Sequence, residues 1–131
     1  MDRASMPQAP DAPGRMEGMV PGVRANGFLF LSAIRGRHPI TSVMPDDGYE
    51  QAVQALRNLQ AVLAASGATL AHVVKVTLFL RDLEMRKSFH RAWMEFFPSN
   101  PPARIAIAVA DANATPGGNA HFALDVIALA P

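Results

Sequence analysis

The chain alternates between short apolar runs and amphipathic segments, and this order predicts a domain that mixes strands with helices. Residues 28–32 form a short apolar run that predicts a buried strand. Residues 47–66 repeat apolar side chains at helical spacing, and Asp47 with Glu50 has the spacing of a helix-capping box. Residues 74–80 are rich in β-branched residues and partly alternating, which predicts a second strand.

The second half of the chain predicts a further helix and two further strands. Asp82 can cap a helix with one apolar stripe, and a Ser-Asn-Pro-Pro sequence ends it. Residues 104–109 and 121–129 predict strands on either side of a turn-rich loop. With an ambiguous edge strand in residues 16–23, the order is ββαβαββ. This order predicts an α+β fold, in which one mixed sheet carries both helices on one face.

Composition and charge limit the partners and the chemistry. The 131 residues allow one domain, and the absence of cysteine excludes disulfides, thiolate metal sites and cysteine nucleophiles. A net charge of +1 predicts no nucleic-acid partner and no anionic membrane surface, and no apolar run is long enough to cross a membrane. No pair of histidines or acids has metal-ligand spacing, so we expect neither a metal nor another cofactor.

The first fifteen residues contain three prolines, both signs of charge and no long apolar stretch. They are therefore predicted to be a disordered tail that precedes a single domain in residues 16–131. They resemble neither a secretory signal nor a transit peptide, and with the lack of cysteine this favours a cytoplasmic location.

Side-chain alternation divides each of the last three predicted strands into two faces. One set is bulky and apolar and is expected to meet the helices: Val74, Val76, Leu78, Leu80, Ile105, Ile107, Val109, Phe122, Leu124, Val126 and Ala128. The other set mixes small, apolar and charged residues: Lys75, Thr77, Phe79, Arg104, Ala106, Ala108, His121, Ala123, Asp125 and Ile127. Because two helices cover only one face, the second set is expected to meet another copy of the chain and to line a cleft there. The alternative is a solvated antiparallel face.

Three stretches of sequence carry a resemblance to a known family: ANGFLFLS, NLQAVLAASGATLAHVVKVTLFLRDL and FFPSNPPARIAIAVAD. In these stretches the chain resembles the Rid (YjgF) family of reactive intermediate deaminases, from about Ala25 to Leu129. The resemblance implies a chorismate-mutase-like α+β fold and a homotrimer. It also implies a ligand site between neighbouring subunits, on the face of the sheet without helices.

The same resemblance suggests three substrate-binding residues. An arginine after the Pro-Pro-Ala motif grips the substrate carboxylate in deaminating members, and here it is Arg104, whose planar guanidinium offers two parallel donors. A solvent-facing charge is the alternative. Ser32 matches a serine near the site, and it is equally well interpreted as a strand-end serine bonded to backbone. Ala106 stands where those members often carry a cysteine, and its backbone N–H can still face a ligand.

Several positions depart from the deaminating members. Their glutamate that positions or activates water falls on Ala123, which has no acid–base chemistry. Their tyrosine near the N-terminus falls near Met19, and their Ser-Gly-Gln turn becomes a Ser-Ala-Ile-Arg sequence that begins at Ser32. These departures indicate a divergent branch of the family.

Two residues near Ala123 are candidates to replace the missing acid. Asp125 and His121 lie two residues to either side, hence on the same face, and either side chain could transfer protons. Alternatively, Asp125 is a structural partner of Lys75 or of a backbone donor, and His121 is an exposed residue beside a glycine-rich loop.

Three further polar residues have weaker assignments. Arg35, in the loop after the predicted strand, either adds a second anion contact or is a surface charge. His72 and His90 are interpreted as surface residues of a turn and a helix.

The reaction implied by the resemblance is hydrolysis of a 2-imino or 2-enamino acid to a 2-keto acid and ammonia. A larger conjugated enamine, such as an aminomuconate, is also compatible with the small alanines of the predicted site. The first alternative is a non-catalytic trimeric protein that binds small carboxylates or other metabolites. The second is a ribonuclease, against which the near-zero net charge and the lack of a basic stripe with interleaved aromatics argue.

Overall fold

The computed structural model describes residues 2–114 and 118–131, which form one six-stranded mixed sheet with two α-helices. Its elements are β1 (Arg3–Ser5), β2 (Gly22–Ala25), β3 (Phe28–Leu31), α1 (Gly48–Ala64), β4 (Val73–Leu80), α2 (Arg86–Phe96), β5 (Ala103–Ala108) and β6 (Phe122–Leu129). The strand order across the sheet is β1-β2-β3-β6-β4-β5, and every pair is antiparallel except β4 with β5. The predicted α+β class with a mixed sheet is confirmed.

Helix α1 begins where the capping signal predicts. The Asp47 carboxylate accepts a hydrogen bond from the backbone N–H of Glu50 at 3.0 Å, which satisfies one of the free donors of the first turn. The apolar stripe of α1 is fully buried against the sheet and includes Leu56 and Leu59. Gly67, three residues after the helix, has a φ of +75°, a conformation in which glycine carries no Cβ penalty.

Helix α2 begins later than its predicted cap. The Asp82 carboxylate accepts from the backbone N–H of Glu84 at 3.0 Å, but it caps a short 3-10 turn over Leu83–Met85, and α2 follows at Arg86. Both helices pack on one face of the sheet, where Phe89 of α2 contacts Phe122 of β6 in a tilted arrangement with ring centroids 5.2 Å apart. The prediction that both helices share one face is therefore correct.

The faces of β4 and β6 match the sequence pattern with one local exception. The even-numbered residues of β6 are buried, and so are Val76, Leu78 and Leu80 of β4. A register irregularity between Val73 and Lys75 places Val73 in the core and leaves Val74 exposed. The predicted inward position of Val74 is therefore wrong, because the bulge resets the alternation at the start of the strand.

The faces of β5 are the reverse of the prediction. Arg104 is paired with Val76 of β4, so Arg104 and Ala106 lie on the helix side of the sheet. Ile105 and Ile107 lie on the other side, where they are 48% and 40% exposed. The prediction took the bulkier set as the core set, but β5 is an edge strand, and there the small Ala106 packs against the core.

The N-terminal segment differs from the disordered tail that the sequence predicts. Residues 3–5 form β1, which pairs with β2, and Met6 continues the pairing by donating its N–H to the Gly22 carbonyl at 2.9 Å. Met6, Ala9 and Ala12 are buried in the main core. Burial of every third residue matches the three-residue period of a proline-rich extended chain. Sequence reasoning missed it because a search for helix or strand periods does not detect a period of three.

The face of the sheet opposite the helices, here called the helix-free face, is largely apolar. Its residues include Phe28, Phe30, Lys75, Thr77, Phe79, Ile105, Ile107, Ala123, Asp125, Ile127 and Leu129. Four of its large apolar residues are exposed, namely Phe30, Ile105, Ile107 and Leu129. Within the described residues, neither helix has the length and apolar character needed to span a membrane.

Candidate functional site

Arg104 is held at the edge of the sheet by two side chains of α2. Its guanidinium carbon lies 4.7 Å from the centroid of the Trp93 ring, which is a cation–π contact. Its Nη2 donates to His90 Nδ1 at 3.1 Å. Partial burial lowers the pKa of Arg104 from its ordinary value, because desolvation disfavours the charged form.

This arrangement uses only part of the hydrogen-bond donors of the Arg104 guanidinium. A guanidinium carries five N–H groups, and within the described residues one hydrogen bond of Arg104 is found. The two groups that orient it bring no opposite charge, because an indole ring and a hydrogen-bond-accepting imidazole are both neutral. Arg104 can therefore bind a carboxylate in the fork geometry that two parallel donors allow.

Sequence reasoning missed the two residues that position Arg104. His90 was predicted to be a surface residue of a helix, and it is exposed, but its ring contacts the guanidinium. His90 and Trp93 are three residues apart on α2, a spacing that places them on the same side of a helix. That spacing was visible in the sequence, although its relation to Arg104 depends on the register of β5.

Ser32 and Ala106 occupy different environments. The Ser32 hydroxyl donates to the Val20 carbonyl at 2.6 Å, and its backbone N–H donates to the Pro21 carbonyl at 2.9 Å. These bonds match the interpretation of Ser32 as a strand-end serine bonded to backbone. Ala106 is half-buried in β5, two residues after Arg104 and on the same side of the strand.

His121 is buried rather than exposed beside the loop. It is 8% exposed, and its backbone N–H donates to the Gln51 Oε1 at 2.6 Å. Its Nε2 lies 2.7 Å from the Asp46 carbonyl, and because a carbonyl only accepts, Nε2 carries the proton. The other ring nitrogen faces the Arg81 guanidinium at 3.5 Å. One ring nitrogen therefore contacts the loop before α1, and the other contacts Arg81, which follows β4.

Asp125 lies on the helix-free face, where it is exposed and paired across the sheet with Thr77. Arg104 projects from the opposite side, so a single copy of the chain does not bring the two side chains together. Ala123, at the position of the family's glutamate, is 5% exposed and packs with Ala112 and Ala120 in a small second apolar cluster.

A cavity of about 390 Å³ lies beside the loop that follows β3. Three arginines line it, Arg15, Arg35 and Arg37, together with Met19 and Ala33. Met19 and Ala33 are at or near two of the positions where the sequence departs from the deaminating members. The cavity thus lies next to the Ser-Ala-Ile-Arg turn and not next to Arg104.

The cavity wall is fixed by polar contacts with α1. Asn58 is buried on α1, and its Nδ2 donates to the carbonyls of Arg35 and Arg37, each at 2.8 Å. Desolvation is the main cause that lowers the pKa of Arg35 and also that of Arg15. Arg35 lines the cavity and is half-buried, which does not match a freely solvated surface charge, and the second anion contact considered for it stays a prediction.

Metal-binding side chains are not clustered in the part of the chain that the structure describes. Among those residues no group of three or more histidine, aspartate or glutamate side chains is arranged to hold an ion.

Comparison with known proteins identifies relatives that belong to one family. The family described as Endoribonuclease L-PSP matches residues 9–129. A curated relative, Reactive Intermediate Deaminase A, chloroplastic, from Arabidopsis thaliana, is 35% identical over 100 residues, which are 76% of this chain and 54% of that longer protein. The chain thus spans about half the length of that relative.

Solved structures show the same fold along nearly the whole chain. The structure of the E. coli YjgF gene product superposes with a TM-score of 0.87 at 26% identity, covering 98% of this chain and 99% of that one. E. coli TdcF with bound serine gives a TM-score of 0.86 at 26% identity, covering 96% and 98%. With the family match over residues 9–129, these likenesses show that the chain belongs to the Rid (YjgF) family.

Proposed function

We propose that the protein hydrolyses 2-imino or 2-enamino acids to 2-keto acids and ammonia, with Arg104 binding the substrate carboxylate. The observation that carries the proposal is the orientation of the Arg104 guanidinium by Trp93 and His90, which leaves its remaining donors to a ligand. The name of the Arabidopsis relative and the serine bound to TdcF support an amino-acid-like substrate.

The proposed site lies between copies of the chain in a homotrimer. Strand β5 is at the edge of the sheet, and an edge strand has backbone groups free to meet another surface. Ile105 and Ile107 point to the helix-free face and Arg104 to the helix side of this edge strand, so a copy that covers the isoleucines and extends past the edge also approaches the guanidinium. An interface here would bury the apolar part of the helix-free face and close a cleft around Arg104.

The chemistry needs little beyond orientation. Water adds to the imine carbon, the resulting carbinolamine loses ammonia, and the carbonyl of the keto acid forms, so that the atoms of water appear in the two products. Fixing the carboxylate on Arg104 places the imine carbon relative to the attacking water, and such positioning supplies several kcal/mol of a barrier.

A group that moves protons would add roughly 10²–10⁴-fold in rate. Asp125 is the better of the two candidates, because its carboxylate is exposed on the helix-free face, whereas both ring nitrogens of His121 are in use. Since Asp125 and Arg104 project from opposite faces of one copy, they would meet only across a subunit boundary.

A second function is favoured by the surroundings of Ala123. The position of the family's glutamate is occupied by a packed alanine in an apolar cluster, which leaves no carboxylate there to activate water. A trimeric protein that binds small carboxylates without turnover would need Arg104 and no acid.

A ribonuclease, which the family's description names, has less support. The net charge is +1, and the arginines that lie together line a cavity of small-molecule size rather than a stripe along the surface.

The test is ammonia release from freshly generated 2-aminoacrylate or 2-iminobutyrate. We expect release above the buffer rate for the wild type and a loss of at least tenfold in kcat/KM for Arg104→Ala. Arg91→Ala is the matched control. Arg91 lies on α2, the helix that holds Arg104 in place, but its guanidinium lies over the Tyr49 ring of α1. A wild-type rate equal to buffer, with serine or another small carboxylate still bound through Arg104, would establish the binding function instead.

A further inference from the structure

We propose that His90 and Arg104 together form a proton-coupled carboxylate site, in which binding of the substrate carboxylate is accompanied by protonation of His90. The inference rests on the proposed role of Arg104, and it adds a second binding residue and a dependence on pH. His90 lies on α2 and is exposed, so its ring can exchange protons with solvent. A histidine side chain gains its proton near neutral pH, where carboxylates stay ionised.

The contact between the two side chains exists in its present form only while His90 is neutral. Arg104 Nη2 donates to His90 Nδ1 at 3.1 Å, and because a guanidinium only donates, Nδ1 carries no proton. Protonation places an N–H on Nδ1 that faces the N–H groups of Arg104, so the two side chains then have no acceptor between them. A carboxylate supplies that acceptor, since one oxygen can accept from Nδ1 and the other from Nη2.

Trp93 keeps Arg104 in place in both protonation states of His90. The guanidinium carbon lies 4.7 Å from the centroid of the indole ring, and this contact involves no group that titrates near neutral pH. Loss of the hydrogen bond to His90 therefore does not release Arg104 from α2. The protonated pair offers two positive charges to a carboxylate, whereas the neutral pair offers one.

The surroundings of His90 provide no carboxylate of the chain itself for a protonated ring. Neighbouring charged side chains are basic: Arg104 from β5, and Arg86 and Lys87 one turn earlier on α2. The single acid of α2, Glu95, accepts instead from the Tyr49 hydroxyl at 2.7 Å. Burial alone accounts for the lowered pKa of Arg104, without an opposing contribution from an acid. The anion that stabilises a protonated His90 is therefore expected to come from a ligand.

The experiment measures the affinity of butyrate for the full chain as a function of pH at constant ionic strength. Butyrate has the carbon skeleton of 2-iminobutyrate without its reactive group. The single tryptophan of the chain is Trp93, so its fluorescence reports binding at Arg104. We expect at least fivefold tighter binding at about pH 6 than at about pH 8, because binding favours the protonated ring. Calorimetry in two buffers of different ionisation enthalpy should show net proton uptake.

Two variants assign the proton to His90. His90→Asn retains a side-chain oxygen that can accept from Arg104 but does not titrate, so we expect equal affinity at both pH values and no proton uptake. His72→Asn is the matched control, because the His72 Nδ1 accepts from the Thr69 backbone N–H in the 3-10 turn before β4, away from Arg104. It should keep the pH dependence of the wild type, and thermal melts of both variants check the fold.

Equal affinity at both pH values in the wild type, without proton uptake, would overturn the inference and leave the role of Arg104 intact. A pH dependence that persists in His90→Asn would also overturn it. The absence of butyrate binding at every pH would overturn both the inference and the proposed role of Arg104. A negative ammonia-release assay combined with pH-dependent butyrate binding would remove the reaction alone and support the inference.

Discussion

The guanidinium of Arg104 in β5 lies over the indole of Trp93 in α2, with 4.7 Å between the guanidinium carbon and the ring centroid. Trp93 is itself packed against Phe97, with ring centroids 4.4 Å apart, so the platform under the arginine is part of the core. A flexible cation at a strand edge is thereby restrained by buried aromatic packing. This reduces the ordering that a ligand must bring about when it binds.

His90 supplies the second restraint on Arg104, and its removal has a measurable effect. His90→Ala deletes the acceptor 3.1 Å from Nη2, so the guanidinium samples more orientations. One such hydrogen bond is worth about 1 kcal/mol, which predicts a rise in KM for an imino acid of roughly fivefold. Because His90 is exposed, the melting temperature should stay within a degree or two of the wild type. Met94→Ala, at an exposed position of the same helix, is the control, and an unchanged KM in His90→Ala would show that Trp93 alone orients the arginine.

The helix-free face is expected to mediate assembly. Ile105→Glu and Ile107→Glu each place a charge in its apolar part, which opposes burial against another copy. Light scattering should give a mass three times that of the 14.0 kDa chain for the wild type and a mass near one chain for these variants. Leu83→Glu, which alters an equally exposed leucine away from the sheet, should remain trimeric. A monomeric wild type would contradict the proposed interface.

Gly36 is expected to tolerate no larger residue. A Cβ at this position would collide with the backbone oxygen and the side chain of Gln51 in α1, so Gly36→Ala forces the loop away from the helix. We expect it to lower the free energy of unfolding by roughly 1–3 kcal/mol, measured by urea denaturation. Gly14→Ala is the control, because nothing lies within 4 Å of a Cβ built there. Equal stability of the two variants would contradict the close approach.

The carboxyl of Asp111 has a lowered pKa because the backbone N–H of Asn113 and then its side-chain amide donate to it. A folded-state pKa below the unfolded-state value means that this group stabilises the fold above the unfolded-state pKa. That contribution is lost as the pH falls through the folded-state pKa. Asn113→Ala removes the side-chain bond and should raise the pKa of Asp111 toward its ordinary value, as measured by NMR titration of the carboxyl carbon. The same titration in Gln60→Ala should show no change, and an unchanged pKa in Asn113→Ala would assign the effect to the backbone bond alone.

Local sequence patterns were sufficient to predict the elements in which apolar residues recur at one clear helix or strand period. The capping carboxylate of Asp47 and the repeat behind it fixed the start of α1, and alternation assigned the buried side of β6. Each of these elements packs against the core on one side, so its apolar residues are all buried on that side.

The faces of an edge strand were harder to predict, because they are decided by its pairing with a strand that is distant in sequence. The faces of β5 follow from its register against Val76, which is distant in sequence, and not from the size of its own side chains. The same register brings Arg104 to Trp93, so the site geometry could not be read from the Pro-Pro-Ala motif. The arginine cavity is likewise formed by Arg15 and a loop twenty residues later, and neither segment carries a signal for the other.

The pairing of β1 with β2 has a practical consequence for anyone preparing this protein. A truncation that starts at Met16, where the proline-rich stretch ends, would uncover the edge of β2 and the pockets that Met6 and Ala9 fill. Exposed strand edges next to apolar surface promote aggregation. Expression tags are therefore better joined to the N-terminus through a spacer, and shortened versions should keep the first dozen residues.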